Sequence, residues 1–266
     1  LENVNVSVKD EEFVALLGPS GSGKSTCLRI MSGLIQATGG EVLSQGKPLS
    51  GMNYDIAMIF QSFALFPWET VYKNIAMALY NQQIPKKIIK DKIQHAIDIV
   101  GLEGFEEAYP RELSGGMKQR VGIARALVME RPLLFLDEPF SALDILTADT
   151  LRTEVVKIFT EKNALRSMVL VTHNIQEAVF MTQRILIMGT NPGHIREEII
   201  NDLPYPRDEE SPLFKNMVSK IHALITETLI PDIKATSETG KPSQTVRRAH
   251  LHIETLPKVQ IGQVIG

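Results

Sequence analysis

Phe13-Val14-Ala15-Leu16-Leu17 runs straight into Gly18-Pro19-Ser20-Gly21-Ser22-Gly23-Lys24-Ser25. Five consecutive apolar residues without alternation suit a strand buried on both faces. The next eight fit G-x-x-x-x-G-K-[ST], a loop whose backbone N–H groups cradle phosphates. In that pattern Lys24 reaches the β/γ-phosphates and the Ser25 hydroxyl reaches Mg2+. Cys27, Leu28, Ile30, Met31 and Leu34 continue as an apolar helical segment, expected to stop near Gly39-Gly40. Strand, glycine loop and helix in this order are the setting the motif requires.

Further short apolar runs recur at Ala57–Phe60, Leu133–Leu136, Met168–Val171 and Arg184–Met188. Separated by helical patterns and mostly bare of alternation, they predict a largely parallel sheet flanked by helices, an α/β phosphate-loop core. The stretch from about 70 to 130 breaks the rhythm and reads all-helical. Ile89, Ile93, Ala96, Ile97 and Val100 fall at helical spacing, closed by Gly101. A second helix follows Ser114, a favourable N-cap, with Val121, Ala124, Leu127 and Val128 as its apolar stripe. This stretch is expected to stand off the sheet as a helical insertion.

From about 203 the character changes. Leu203-Pro204-Tyr205-Pro206-Arg207 is a proline-punctuated connection out of the 1–202 domain, and Phe214 to Ile230 predicts one helix in a 203–233 extension. Residues 234–250 are polar and aperiodic, as in a linker. Residues 251–266 then read as the opening of a further domain. His250 and His252 make a lone H-x-H in a polar tail, which reads as incidental rather than metal-binding.

Bulk properties narrow the classes. A hydrophobic content of 44% with 22% charged residues is that of an ordinary globular protein, and a net charge of −3 offers no basic footprint for nucleic acid. The one cysteine, Cys27, excludes a disulfide framework within the chain and reads as a small core residue. No run approaches eighteen uninterrupted apolar residues, so no membrane span is expected.

The chemistry-bearing residues sit where parallel strands end, and ligands of such sheets bind outside the carboxyl ends of the strands. Leu133–Leu136 delivers Asp137 and Glu138 there. Asp137 is placed to hold Mg2+, directly or through a water, and Glu138 to orient and deprotonate an attacking water. Gln61 ends the run Ala57–Phe60, where an amide can touch the metal or its waters. His173 follows Met168–Val171 at the same edge and can contact a γ-phosphate. Phe63, Leu65, Phe66, Pro67 and Trp68 are unusually apolar for a loop, and both core packing and a docking patch for another protein explain them. Leu113-Ser114-Gly115-Gly116-Met117-Lys118-Gln119 is a glycine-rich helix entry, favourable for an anion.

In this order the motifs make the chain resemble the nucleotide-binding subunit of an ATP-binding-cassette (ABC) transporter over about residues 1–200. Gly18–Ser25, with Thr26 beside it, is similar to the family's Walker A loop, Gln61 to the Q-loop and Leu113–Gln119 to the family signature. Leu133–Asp137 is similar to Walker B, Glu138 to the catalytic carboxylate, Ser141-Ala142-Leu143-Asp144 to the D-loop and His173 to the switch histidine. The resemblance implies ATP and Mg2+ as cofactors and head-to-tail pairing with a second ATP-binding subunit, identical or related. Ser114 and Gly116 would then act on nucleotide across the pair, and Gly115, Gln119 and Asp144 would also belong to the nucleotide site. It also implies transmembrane permease subunits as partners, an extracytoplasmic solute-binding protein in the same system, and a peripheral place on the cytoplasmic membrane face.

More narrowly, Phe63–Trp68, Thr172–Ala178 and Asn191-Pro192-Gly193 are similar to importers of nitrate, sulfonate, taurine and bicarbonate. The tail from Leu203 is similar to members of that group with an extra C-terminal domain. The family also stacks adenine on an aromatic residue upstream of the phosphate loop, which is not among these residues. Stacking of this kind is worth about 1–3 kcal/mol, so the chain as given is expected to bind ATP more weakly than one carrying that strand. Two other readings stay open on sequence alone: a soluble cassette ATPase acting on DNA or ribosomes, and a nucleotide sensor without turnover.

Overall fold

The computed structural model describes residues 1–80, 82, 84–161, 165–235 and 250–253. In chain order the elements are β1 (Val6–Val8), β2 (Phe13–Leu17), α1 (Lys24–Met31), β3 (Glu41–Ser44), β4 (Lys47–Pro48) and β5 (Ile56–Ile59). Then follow α2 (Val71–Ala76), α3 (Lys86–Ile99), α4 (Gly115–Leu127), β6 (Leu133–Asp137), α5 (Ile145–Thr160) and β7 (Ser167–Thr172). The chain continues through α6 (Ile175–Met181), β8 (Arg184–Gly189), β9 (His194–Ile200), α7 (Pro212–Ala235) and β10 (His250–Ile253).

The main sheet has the order β5-β6-β7-β2-β8-β9, parallel throughout except for β9, which pairs antiparallel with β8. The five expected apolar runs are its parallel strands, and β2, β6, β7 and β8 are buried at every position. Burial on both faces is why these strands lack alternation. A small second sheet runs β1-β10-β3-β4, with β10 parallel to both neighbours. The expected 234–250 linker falls mostly outside the described residues, as do 254–266 of the expected further domain.

Three apolar clusters hold the layers together. One joins a sheet face to α5 and the helical insertion through Phe13, Leu136, Leu151, Ile75, Ile97 and Val121. A second packs α1 by Leu28 and Met31 against Val14, Leu16, Phe135 and Val169. The third seats α6 and α7 on β2 and β8, with Phe214 and Ile221 against Ala178 and Ile187. Cys27 is buried in the second cluster, and burial pushes its thiol up to about 12, consistent with a core residue. The connection after β9 is anchored by Arg207, whose guanidinium donates to the Val179 and Thr182 carbonyls at 2.7 Å each and so caps α6.

The helix after the phosphate loop is shorter than expected. It ends at Met31, well before Gly39-Gly40, because Gly33 takes φ 75° and closes a Schellman cap. Leu34 N–H donates to Arg29 O at 2.9 Å and Gly33 N–H to Ile30 O at 3.0 Å. A Cβ on Gly33 would fall 1.9 Å from the Gly51 carbonyl oxygen, a backbone atom that cannot swing away. Gly33→Ala is therefore expected to cost about 3 kcal/mol and to lower Tm by roughly 10 °C, read by thermal unfolding.

Candidate functional site

The site forms at the carboxyl edge of the parallel strands. The phosphate loop leaves β2 and turns into α1 through Gly21 and Gly23, at φ 82° and 92°, where any side chain would be strained. Gly18 is fixed for a different reason: a Cβ there would meet the Met188 carbonyl oxygen at 2.7 Å. Lys24 is buried and its Nζ donates to the Gly18 and Pro19 carbonyls at 2.9 and 2.8 Å, so the ammonium spans the loop. Burial lowers its pKa, and the negative charges of Glu138 and Asp137 oppose that shift. Ser22 is fully buried and its Oγ has no hydrogen-bond partner. A buried orphan hydroxyl inside a glycine loop fits a phosphate-binding cradle.

Ser25 and Asp137 come together from 112 residues apart: Ser25 Oγ donates to Asp137 Oδ1 at 2.6 Å. Arg29, one turn after Ser25 on α1, lies 3.5 Å from the other carboxylate oxygen. Both Ser25 and Asp137 offer hard oxygen donors, the set that suits Mg2+, so these residues fit the ion.

Glu138 follows Asp137 with φ 47°, a left-handed conformation rare for a residue with a side chain. Its N–H donates to Val171 O at 3.0 Å, which ties the turn to β7. Two of the expected site residues converge on it. Gln61 Nε2 lies 3.4 Å and His173 Nδ1 3.4 Å from Glu138 Oε2. Gln61 also donates to Ser141 Oγ at 3.3 Å, and Ser141 Oγ donates to the Glu138 carbonyl at 3.0 Å. A cavity of about 410 Å3 opens beside this group, lined by Glu138, Ser141, Asp149, Arg152, His173 and Glu177.

The glycine-rich signature stretch lies elsewhere on the surface. Ser114 caps α4, its Oγ accepting from Met117 N–H at 3.2 Å, and Ser114 and Gly115 are exposed. A Cβ on Gly116 would strike Thr147 at 2.3 Å, so the stretch abuts the start of α5. Asp144 caps α5 by accepting from Thr147 N–H at 3.1 Å, and hydrogen bonding from Thr147 holds its carboxyl below the usual carboxylate range. Among the described residues no hydrogen bond or ion pair joins this stretch to the phosphate loop. Gln119 does not share the exposed mouth: it is 0% exposed within α4, with neither amide atom paired. Its place in this conformation is interior, because the helix stripe that carries it packs inward.

Sequence reasoning missed Arg29, although its spacing of four from Ser25 puts both on one face of α1. It also missed Arg125, whose guanidinium donates to the Phe63 and Ala64 carbonyls at 3.0 and 2.6 Å and fixes the segment after Gln61. Lys24→Gln removes the ammonium while keeping a donor. It is expected to weaken ATP binding by about tenfold to a hundredfold in calorimetric titration, the loss of a charge-assisted phosphate contact.

A glycine phosphate loop, a strand-end Asp-Glu pair and an inserted helical arm on a parallel sheet define a phosphate-loop ATPase. The sequence model of the family described as ABC transporter matches residues 1–141, and the chain belongs to that family. It is 43% identical over 221 residues to an aliphatic sulfonates import ATP-binding protein, SsuB, of Bacillus cereus, covering 83% of this chain and 86% of the relative. It is also 43% identical over 221 residues to a nitrate import ATP-binding protein, NrtD, of a Synechocystis species, covering 83% and 81%. A solved dimeric structure of the ATP-binding cassette MJ0796, in a post-hydrolysis state bound to ADP and Pi, superposes with a TM-score of 0.67 at 32% identity. That match covers 77% of this chain and 91% of the other. The chain is thus an ATP-binding, ATP-hydrolysing subunit of the ABC transporter type.

Proposed function

We propose that this chain is the motor subunit of an importer for a small anion, of the nitrate, sulfonate, taurine or bicarbonate class. The observation that carries the motor reading is the convergence of Gln61, Ser141 and His173 on Glu138, next to the Ser25–Asp137 pair. Ser25, Asp137 and Gln61 would hold a Mg2+ ion, which supplies charge neutralisation of the phosphates when bound. Glu138 accepts the proton of the attacking water, and His173 reports the γ-phosphate. Gly18 to Thr26 grip the triphosphate of one copy, while the partner's Ser114 stretch closes on it from across the pair. A donor set that counts only while the γ-phosphate is present makes closure depend on the nucleotide. The similarity to sulfonate and nitrate import subunits supports the anion class.

The permease is proposed to dock on the helical arm beside Gln61. Here the two sequence readings of Phe63–Trp68 both find support: Leu65 packs on the large core, whereas Trp68 is 69% exposed. Trp68, Met77 and Tyr80 are all exposed; Met77 lines a cleft of about 270 Å3 with Met58, Phe66, Arg125 and Met129, and the Trp68 ring lies 5.7 Å from that of Phe66. Because Arg125 in that cleft holds the Phe63 and Ala64 carbonyls, movement of a docked partner is felt two residues from Gln61. Among the described residues no helix is long and apolar enough to cross a membrane, so a peripheral place through this docking is the fitting one.

The test is co-expression with the permease and binding protein from neighbouring reading frames. ATP-dependent uptake of nitrate or an alkyl sulfonate into vesicles is expected, and copurification with nucleic acid instead would refute the reading. Trp68→Glu is expected to cut uptake at least tenfold while the free subunit hydrolyses ATP within about twofold of wild type, because a buried charge disrupts docking and not chemistry.

A further inference from the structure

We infer that Thr172 and Glu177 are positioning residues for His173, forming a brace that fixes where the turn between β7 and α6 presents its imidazole. The inference deepens the motor reading and rests on it, since it presumes that His173 acts on the nucleotide side of Glu138. One hydroxyl carries the brace. Thr172 Oγ1 donates to Glu177 Oε2 at 2.5 Å and accepts from Asn174 N–H at 3.0 Å, so it grips the chain on both sides of His173. Asn174 adds the helix cap, its Oδ1 accepting from Gln176 and Glu177 N–H at 2.9 and 3.3 Å. Thr172 is 2% exposed and Glu177 9%, whereas the imidazole between them is half exposed.

The chemistry of the pair explains why burial does not remove it. A carboxylate without water needs a donor, and the Thr172 hydroxyl is aimed at it. Arg152, buried on α5 with an unpaired Nε, faces the same cavity and attracts the Glu177 charge. Burial raises the Glu177 pKa, while the Thr172 hydroxyl, Arg152 and His173 pull it back. The far end of α6 is tied down independently by Arg207. With both helix ends held, the free coordinate left to His173 is the angle of the turn itself, and the hydroxyl closes it. Among the described residues no hydrogen bond or ion pair joins Thr172 or Glu177 to the phosphate loop, so the grip on the nucleotide is expected to hold.

Thr172→Val keeps the β-branched shape and removes the hydroxyl, so β7 is expected to form as before. Its steady-state ATP hydrolysis is expected to fall by about 30-fold, as for a reacting group displaced by under an ångström, with ATP affinity held within about twofold. Thr172→Ser should return hydrolysis to within about threefold of wild type, which a general packing role would not do. Glu177→Met attacks the other end of the bond, so it carries the test should Thr172→Val fail to fold. It should reproduce the kcat loss, and Glu177→Gln, which still accepts from Thr172, should lose much less. His173→Ala, run alongside, separates two failures. If it hydrolyses at the wild-type rate, the switch role itself is wrong. If it is inactive while the foldable Thr172 and Glu177 variants remain fully active, the brace alone is overturned. Loss of ATP affinity in step with kcat, without rescue by serine, would equally overturn it.

Discussion

Glu138→Gln is expected to lower steady-state ATP hydrolysis by about a thousandfold and to leave ATP binding intact, the size of loss associated with removing a positioned general base. The amide fills the same volume and still accepts a hydrogen bond, so Gln61 and His173 keep a partner at the position 3.4 Å from each. What is lost is the ability to take a proton. Binding should not suffer, because among the described residues no hydrogen bond or ion pair joins Glu138 to the phosphate loop, and only its charge acts on Lys24. Removing that charge also eases the approach of an anionic triphosphate. The left-handed turn at Glu138 matters here. At this turn, with φ 47°, the Glu138 carboxylate meets Gln61 and His173 while that of Asp137 meets Ser25 and Arg29, so consecutive acids serve separate tasks. Binding without turnover predicts a long-lived closed pair, seen as a dimer in size-exclusion chromatography with ATP and absent with ADP. Wild-type turnover by this variant would place the base elsewhere.

The sheet and the phosphate loop were legible because burial on both faces leaves a strong trace in sequence. Val14, Leu16 and Phe135 pack to one side of the sheet, and Ala15 and Leu17 to the other, so β2 has no polar position to interrupt it. The strands that went unread are short or marginal. β1 has three residues, and β9 reads His194-Ile195-Arg196-Glu197-Glu198-Ile199-Ile200, an edge strand with polar positions and a bulge opposite Ile187 and Met188. Gly33 is not legible as a helix stop, because nothing in its neighbours announces the close approach of Gly51. Of the site, Asp137, Glu138, Gln61 and His173 were visible as polar residues ending apolar runs. Their pairings were not. The bond from Ser25 to Asp137 and that from Gln61 to Ser141 join residues 112 and 80 positions apart, and periodicity carries no information at that range. The Thr172–Glu177 bond is short in sequence yet equally hidden, since it depends on the turn angle that it helps to set.

Ser114→Asp is the second large effect, and it separates two roles that one residue combines. Ser114 caps α4 through its bond from Met117 N–H, and aspartate caps a helix as well as serine does. The negative side chain also suits the positive end of the helix, so the fold should be unharmed and the Tm unchanged or slightly higher. Its charge would nevertheless face the γ-phosphate of the partner's nucleotide. Two like charges about 4 Å apart cost roughly 1–4 kcal/mol near a protein surface. Taking about 1.5 kcal/mol at each of the two sites of a self-paired dimer, about 3 kcal/mol in all, the ATP-dependent dimer should weaken by roughly 150-fold, measured by analytical ultracentrifugation of the hydrolysis-deficient Glu138→Gln background. ATP binding by the separate subunit should remain within about twofold, because among the described residues no hydrogen bond or ion pair joins Ser114 to the phosphate loop that grips it. Ser114→Asn supplies the uncharged control: it retains the cap and should retain most of the dimer. Were Ser114→Asp to pair as tightly as the parent, the signature helix would not be meeting a phosphate, and closure of two copies around ATP would need another surface.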